Sequence, residues 1–246
     1  MIRALGRARR SSPDGLVLEV PGWPGHRPGQ FAMLTLDPRG GRLDPLLGRP
    51  MAVYRGDGKN LEFRFKVVGR GTRALSEVAR GSEVGVVGPL GNGFDPAPAG
   101  SVLVGGGTGI ASLFGLAAGS PGQVRVLLGG RTRADLLGYP DFEALDLDLE
   151  VATEDGSLGH KGLVTELCRA EPGQTLIACG PLGMMRAVAG IANRAGARCV
   201  VCLESPMACG FGICLGCAVP TRDGFCYVCT AGPVFDAGFV DWERLR

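Results

Sequence analysis

Through the first hundred residues, apolar and polar positions alternate in short runs. Residues 16–20 (LVLEV), 31–36 (FAMLTL), 51–55 (MAVYR) and 61–68 (LEFRFKVV) are short and rich in β-formers. LEFRFKV alternates strictly, so Glu62, Arg64 and Lys66 share one face. The turn-rich segments PGWPGHRPG, DPRGGR and GDGKN separate these runs. Strands this short, evenly spaced, predict a small antiparallel β-barrel. One helix is expected over 71–81, with Ala74, Leu75 and Val78 on its apolar side. EVGVVGPLGNGF then returns to strand and ends in a glycine-rich turn.

From residue 101 the pattern changes. SVLVGGGTGIASLFGLAAG reads strand, glycine loop, helix. Further strands are expected at 123–131, 147–155, 175–180 and 197–204, with helices at 162–170 (GLVTELCRA) and 183–196 (GMMRAVAGIANRAG). Strands alternating with helices predict a parallel α/β sheet, which binds nucleotides beyond the carboxyl ends of its strands. Two strand-end turns suit that purpose, 105–109 and 179–181. The first is not a full G-x-G-x-x-G, because Ile110 stands where the third glycine belongs. The strand at 123–131 ends in Gly-Gly-Arg, with no acid to take a ribose hydroxyl; Arg131 or Arg133 could instead meet a 2′-phosphate. In the barrel, Gly71-Thr72 at a helix start and the basic pair Arg49 and Lys66 could grip a phosphorylated cofactor.

The densest chemistry lies in ESPMACGFGICLGC, residues 204–217. It sets Cys209, Cys214 and Cys217 at C-x4-C-x2-C, and Cys229 follows inside YVCTAGPVF. Three thiols on one loop plus a distant fourth is the plant-type ligand pattern of a two-iron, two-sulfur cluster. Gly210, Gly212 and Gly216 let the backbone fold closely round such a group. Zinc is the competing ligand, since Cys214/Cys217 and Cys226/Cys229 are paired C-x2-C units. It leaves Cys209 and its glycine-rich loop without a purpose. Simple core packing is a third possibility. Of the remaining thiols, Cys168, Cys199, Cys202 and Cys226 are expected to pack; Cys179 stands at a strand end where a nicotinamide could lie. Nine cysteines, an odd number with no secretory signal, argue against a disulfide framework.

Composition narrows the classes. The net charge of +2 and the lack of long Lys/Arg runs, beyond a patch at Arg7, Arg9 and Arg10, argue against a nucleic-acid partner. Residues 101–120 are uncharged and long enough to span a membrane, but four of the first nine are glycine, which fits the strand–turn–helix reading. With no targeting segment, the cytoplasm is the expected address. Only two histidines, His26 and His160, are present, so a histidine-based catalytic centre is poorly supplied and no catalytic acid–base residue is assigned. At 246 residues the chain can hold two to three domains. We expect an α+β multidomain fold: an N-terminal antiparallel β-barrel at 1–98, a central α/β parallel-sheet nucleotide domain at 99–203, and a small C-terminal cluster domain with short β-strands at 204–246.

RPMAVY, KVVGRGT, VGGGTGIA, ATEDGSLGHKGLVTE, CGPLGMM and MACGFGICLGC with VCTAGPVF, in this order, resemble the ferredoxin-NADP reductase superfamily. More narrowly, they resemble the electron-transfer subunits of NAD-dependent (class 1B) dihydroorotate dehydrogenase. The resemblance covers nearly the whole chain. It implies FAD held by Arg49, Pro50, Met51 and Ala52, by Arg64, Phe65 and Lys66 along the flavin, and by Gly71 and Thr72 at the pyrophosphate. It implies cluster ligands Cys209, Cys214, Cys217 and Cys229, with Cys229 rather than Cys226 the fourth. Gly107, Thr108 and Gly109, with Cys179, Gly180, Pro181 and Met184, match the nicotinamide-nucleotide site, with NAD as co-substrate. Ala52 departs from the family's usual Ser or Thr, whose hydroxyl bonds the flavin. The implied partner is an FMN-containing catalytic subunit that oxidises dihydroorotate in pyrimidine biosynthesis, in a two-plus-two heterotetramer; the apolar cluster loop (Met207, Phe211, Ile213, Leu215) is expected to face it. The alternatives are a reductase subunit of a sulfide dehydrogenase, hydrogenase or ferredoxin:NADP oxidoreductase, a zinc-binding interaction module, and a stand-alone flavin reductase with a vestigial cluster.

Overall fold

The computed structural model describes residues 1–36, 39, 44–120 and 122–245. Its first part contains β1 (Ile2–Ser12), β2 (Gly15–Glu19), β3 (Phe31–Thr35), β4 (Arg49–Ala52), β5 (Arg55–Gly56), β6 (Asn60–Arg64), α1 (Arg70–Ser76) and β7 (Glu83–Leu90). The strands form one antiparallel sheet in the order β4-β3-β7-β1-β2-β6-β5. β4 and β5 are consecutive in sequence yet lie at opposite edges. The chain between them bonds both sides, Val53 N–H to Gln30 O (3.0 Å) and Tyr54 N–H to Glu62 O (2.9 Å), so the sheet curls into the expected barrel. Leu16, Leu18, Leu34, Leu61, Phe63 and Val86 fill it.

Two details depart from the sequence pattern. β1 was not anticipated, because its inward residues include Gly6 and Ala8, too small to register as an apolar stripe. They have to be small: a Cβ on Gly6 would meet Val20 and Val86 at 3.2 Å. The basic residues of this segment point outward, and Arg9 pairs with Glu19. α1 stops at Ser76 rather than 81, and the chain turns through Gly81 (φ +88°), whose N–H bonds Ala8 O at 2.7 Å. The DPRGGR turn lies, apart from Arg39, outside the described residues.

The second part runs β8 (Ser101–Gly106), a 3-10 turn (Gly107–Gly109), α2 (Ile110–Ala118), β9 (Val124–Gly130), α3 (Tyr139–Glu143), β10 (Asp148–Thr153), β11 (His160–Lys161), β12 (Thr175–Cys179), α4 (Leu182–Ala195) and β13 (Arg198–Cys202). After the cysteine loop come the hairpin β14 (Ala218–Thr221) and β15 (Gly224–Tyr227), then β16 (Val234–Asp236). The sheet order is β11-β10-β9-β8-β12-β13-β16, parallel except that β16 joins β13 antiparallel. The C-terminal segment therefore completes the edge of the nucleotide sheet. Residues 101–120 are strand, turn and helix, and among the described residues no helix is long and apolar enough to cross a membrane.

The helix expected over 162–170 is only a 3-10 turn, Val164–Glu166. Arg169 Nη1 takes the carbonyls of Glu166 (2.7 Å) and Cys168 (2.9 Å), acceptors that a continuing helix would use. Val164 plugs against Gly129, where a Cβ would lie 2.7 Å away, so the segment is pinned over the end of β9.

Barrel and α/β sheet are joined by a charged latch and an aromatic stack. Tyr54 donates its hydroxyl to Asp141 Oδ2 (2.9 Å), and Arg55 and Arg64 reach the same carboxylate at 3.3 Å. The Tyr54 ring stacks on Phe114 (centroids 4.4 Å apart), which meets Phe142 edge-on. A second pair, Lys66 Nζ to Asp135 Oδ1 at 2.6 Å, spans the same junction. Burial, with the Asp141 carboxylate beside it, pushes the Tyr54 phenol far above its ordinary range. Asp141→Ala leaves a buried hydroxyl and a mostly buried guanidinium short of an acceptor. It is expected to cost about 1–3 kcal/mol of stability, measured by urea unfolding, with Asp141→Asn recovering part of the loss.

Candidate functional site

The cluster loop leaves β13 through residues 203–208. Gly210 (φ +84°) and Gly212 (φ +89°) turn it tightly, and a Cβ on Gly210 would lie 2.5 Å from Met33. Leu215 is the one described non-glycine residue at positive φ (58°), a local strain characteristic of binding loops. The loop's N–H groups turn inward: Cys209 Sγ accepts from Phe211 (3.5 Å) and Cys214 (3.4 Å). Burial raises the Cys209 thiol, but the N–H groups of Cys214, Phe211 and Ile213 outweigh it and hold it at about 6. Cys217 and Cys229 place their sulfurs 3.2 Å apart, 1% and 3% exposed. Burial, then the neighbouring Cys217 thiol, pushes Cys229 up to about 11.

The four sulfurs thus fall in two pairs, Cys209 with Cys214 and Cys217 with Cys229. A two-iron cluster asks for this donor set, two thiolates for each iron beside the bridging sulfides. Among the described residues no three His, Cys, Asp or Glu side chains converge on a single metal ion. Cys226 lies on β15, partly buried against the apolar core.

A cavity of about 410 Å³ opens between barrel and α/β sheet. Pro50, Met51 and Ala52 of β4 line it with Arg64, Phe65, Lys66 and Thr72; Thr108, Ser112 and residues 202–207 form the opposite wall. Thr72 Oγ1 accepts the N–H groups of Val68 (2.9 Å) and Gly69 (3.2 Å), which shapes the turn before α1. Arg49 and Gly71 stand just behind, the guanidinium so close over Gly71 that a side chain there would displace it. Arg64 and Lys66 reach the cavity while committed to Asp141 and Asp135. Ala52 brings no hydroxyl; Thr108 and Ser112 stand on the facing wall.

A larger cavity, about 740 Å³, lies over the carboxyl ends of the parallel strands. Gly107 and Thr108 line it, as do Gly180, Pro181 and Met184. Gly109 packs so tightly on the backbone of Cys179 and Gly180 that a Cβ would overlap it, which joins the turn after β8 to the end of β12. The Cys179 sulfur does not line the cavity. It is fully buried, 3.5 Å from Cys202 O, and the adjoining Cys202 thiol and burial push it well above the ordinary range.

The two cavities share Lys66, Thr108, Leu203 and Glu204. Glu204 is exposed, its surface facing these openings, and desolvation by the protein around it pushes its carboxyl up. In the sequence Glu204 opens the cysteine-loop stretch with no role assigned to it. The signal available was an acid directly after an apolar strand, beside the cysteine loop. Asp135 and Asp141 were missed for want of any motif, and Glu154, though inside the ATEDGSLGHKGLVTE segment, was given no role.

The model of the iron–sulfur cluster binding domain of dihydroorotate dehydrogenase B matches residues 204–241. The dihydroorotate dehydrogenase B (NAD(+)) electron transfer subunit of Clostridium acetobutylicum is 37% identical over 212 residues, 85% of this chain and 84% of the relative. That of Caldanaerobacter subterraneus subsp. tengcongensis is 39% identical, covering 87% of each. Among solved structures, one described as the NADH-dependent reduced ferredoxin-NADP oxidoreductase of flavin-based electron bifurcation superposes with a TM-score of 0.82 at 30% identity, over 100% of this chain and 91% of that one. A ferredoxin reductase of carbazole 1,9a-dioxygenase shares the fold alone (TM-score 0.62, 22% identity, 79% of this chain and 65% of that one).

The raised Glu204 carboxyl fixes a pH signature. Below the ordinary carboxylate range, near pH 4, folded and unfolded chains both carry the proton and burial costs nothing. As pH rises, the unfolded chain ionises first and stability falls. Glu204→Gln is therefore expected to raise the melting temperature of the cofactor-free chain at neutral pH, with the gain vanishing toward about pH 4 in thermal scans.

Proposed function

The chain belongs to the family of electron-transfer subunits of dihydroorotate dehydrogenase B (NAD(+)), and from that premise we propose that it carries electrons from a dihydroorotate-oxidising catalytic subunit to NAD⁺ in pyrimidine biosynthesis. It is an oxidoreductase subunit of the ferredoxin-reductase fold, using FAD, a two-iron cluster and NAD. The observation that carries the reading is the run 203–209. Residues 203–207 wall the smaller cavity, and Cys209, two positions on, opens the cluster loop. One short stretch of backbone thus serves two cofactor sites.

In this reading Cys209, Cys214, Cys217 and Cys229 hold the cluster. Pro50, Met51, Ala52, Phe65 and Thr72 hold the flavin, with Arg49 braced over Gly71 and with Arg64 and Lys66 beside them. Backbone N–H groups at Gly107, Thr108 and Gly109, at the entry to α2, receive the dinucleotide pyrophosphate. The turn of Cys179, Gly180 and Pro181, with Met184, takes the nicotinamide end, and Leu203 and Glu204 line the space where the cavities meet. Bound together, flavin and cluster convert one-electron transfer into the hydride that nicotinamide requires.

Residues 1–98, 99–203 and 204–246 serve these three roles in turn. Substrate oxidation belongs to the partner, an FMN-containing subunit in a cytoplasmic two-plus-two assembly. Phe211, Ile213 and Leu215 are exposed and, with Phe225 on β15, make an apolar face suited to that subunit, whereas Met207, expected to join them, packs against the core and lines the smaller cavity. A second reading, a reductase subunit of another flavin and iron–sulfur complex, draws on the full-length likeness to the ferredoxin-NADP oxidoreductase structure. The two readings share every site and differ in partner.

The purified chain is expected to show overlapping flavin and iron–sulfur absorption, partly bleached by dithionite under anaerobic conditions. Mixed with its catalytic subunit it should reduce NAD⁺ on addition of dihydroorotate. Cys214→Ser should abolish that reaction and spare NADH oxidation by ferricyanide. Partner-dependent turnover surviving in Cys214→Ser returns the chain to a stand-alone flavin reductase. Bound zinc without acid-labile sulfide overturns the electron-transfer reading.

A further inference from the structure

The larger cavity has two ends. One adjoins the smaller cavity through Lys66, Thr108, Leu203 and Glu204, and a nicotinamide that meets a flavin has to lie there. The turn at Gly107 and Thr108, where α2 begins, takes the pyrophosphate. The adenosine half is then left with the other end, over β9 and β10, lined by Gly129, Gly130, Arg131 and Glu154.

β9 carries no acid at its end, but the neighbouring strand supplies one. Glu154 is the first residue after β10, and its N–H bonds Gly130 O at 3.1 Å, which fixes it beside the end of β9. Its carboxylate has no hydrogen-bond or ion-pair partner among the described residues, so its acceptor oxygens are open to the cavity. The cations nearby are not equally available. Arg131 is held by Asp135 (Nε to Oδ2, 3.2 Å), and the same carboxylate holds Lys66. Arg133 does not line the cavity; its backbone N–H bonds Ser157 Oγ at 2.8 Å. The 2′-phosphate site that the Gly-Gly-Arg ending suggests is thus occupied from within by Asp135 and faced by an uncompensated acid.

We propose that Glu154 is the residue that selects NAD(H) over NADP(H), by accepting hydrogen bonds from the adenosine ribose hydroxyls and repelling a 2′-phosphate. An acid is the group that reads a ribose diol in dinucleotide sites, and a like charge placed against a phosphate discriminates strongly. This inference rests on the nicotinamide-dinucleotide reading of the cavity and adds the residue that sets the choice.

The test is calorimetric titration of the full cofactor-loaded chain with NAD⁺, NADP⁺, 5′-AMP and 2′,5′-ADP at fixed ionic strength. The wild-type chain should bind NAD⁺ and 5′-AMP more tightly than their 2′-phosphorylated counterparts. Glu154→Gln, which keeps the shape and removes the charge, should narrow that ratio by about ten-fold or more, chiefly through tighter binding of the phosphorylated ligands. Glu154→Ala should also weaken 5′-AMP. A ratio unchanged in Glu154→Gln, or a wild-type preference for NADP⁺, overturns the proposal while leaving the cavity a dinucleotide site. Failure of the wild-type chain to bind any of the four ligands overturns the dinucleotide reading itself, and the proposal with it.

Discussion

The site depends on two carboxylates that hold the barrel to the α/β sheet. The smaller cavity has no floor of its own: β4 and the end of β6 make one wall, and residues 202–207 make the other. Asp141 gathers Tyr54, Arg55 and Arg64, and Asp135 gathers Lys66 and Arg131, so five side chains are positioned by two acids on one side of the junction. Ion pairs in such half-buried settings add little net stability, because desolvation offsets the attraction. Their use here is registry. They orient Arg64 and Lys66 along the cavity edge, while the stack of Tyr54 on Phe114 supplies apolar contact.

What was legible in the sequence is what local spacing encodes. The three cysteines of the cluster loop, the glycine turn after β8, and the strand–helix–strand of β12, α4 and β13 depend on residues a few positions apart, and their geometry follows from short-range rules. β1 was hidden because its inner face needs glycine and alanine to fit against Val20 and Val86, and a stripe of small residues carries little apolar contrast. The false helix at 162–170 had the right composition. It failed because Arg169 captured its carbonyls and Val164 had a specific slot against Gly129.

The acids were illegible for a different reason. Asp135 and Asp141 belong to no motif; Glu154 and Glu204 lie inside motif segments whose spacing assigns them no task, and each of the four is an ordinary surface-type residue in one dimension. Their roles arise from what the fold brings opposite them: Lys66 from 69 residues earlier for Asp135, Tyr54 from 87 residues earlier for Asp141. The same limit explains the misleading arginine at the end of β9. Read alone, Arg131 is a phosphate ligand; read with Asp135 four residues on, it is already engaged.

Burial across the cysteine loop gives the cluster site a direction. Cys217 and Cys229 are sealed in the core that also contains Met33 and Leu203, whereas Cys214 is exposed on a loop with Phe211, Ile213 and Leu215. An electron carrier between two proteins needs both features. A wholly buried cluster would be too remote from a partner, and a wholly exposed one would be open to solvent and oxidants. The backbone resolves the conflict with close approaches that only glycine allows, Gly210 against Met33 and Gly212 against Thr230. They bring the exposed loop down onto the core, so that its outward pair of thiols sits among exposed apolar side chains and its inward pair faces the protein interior.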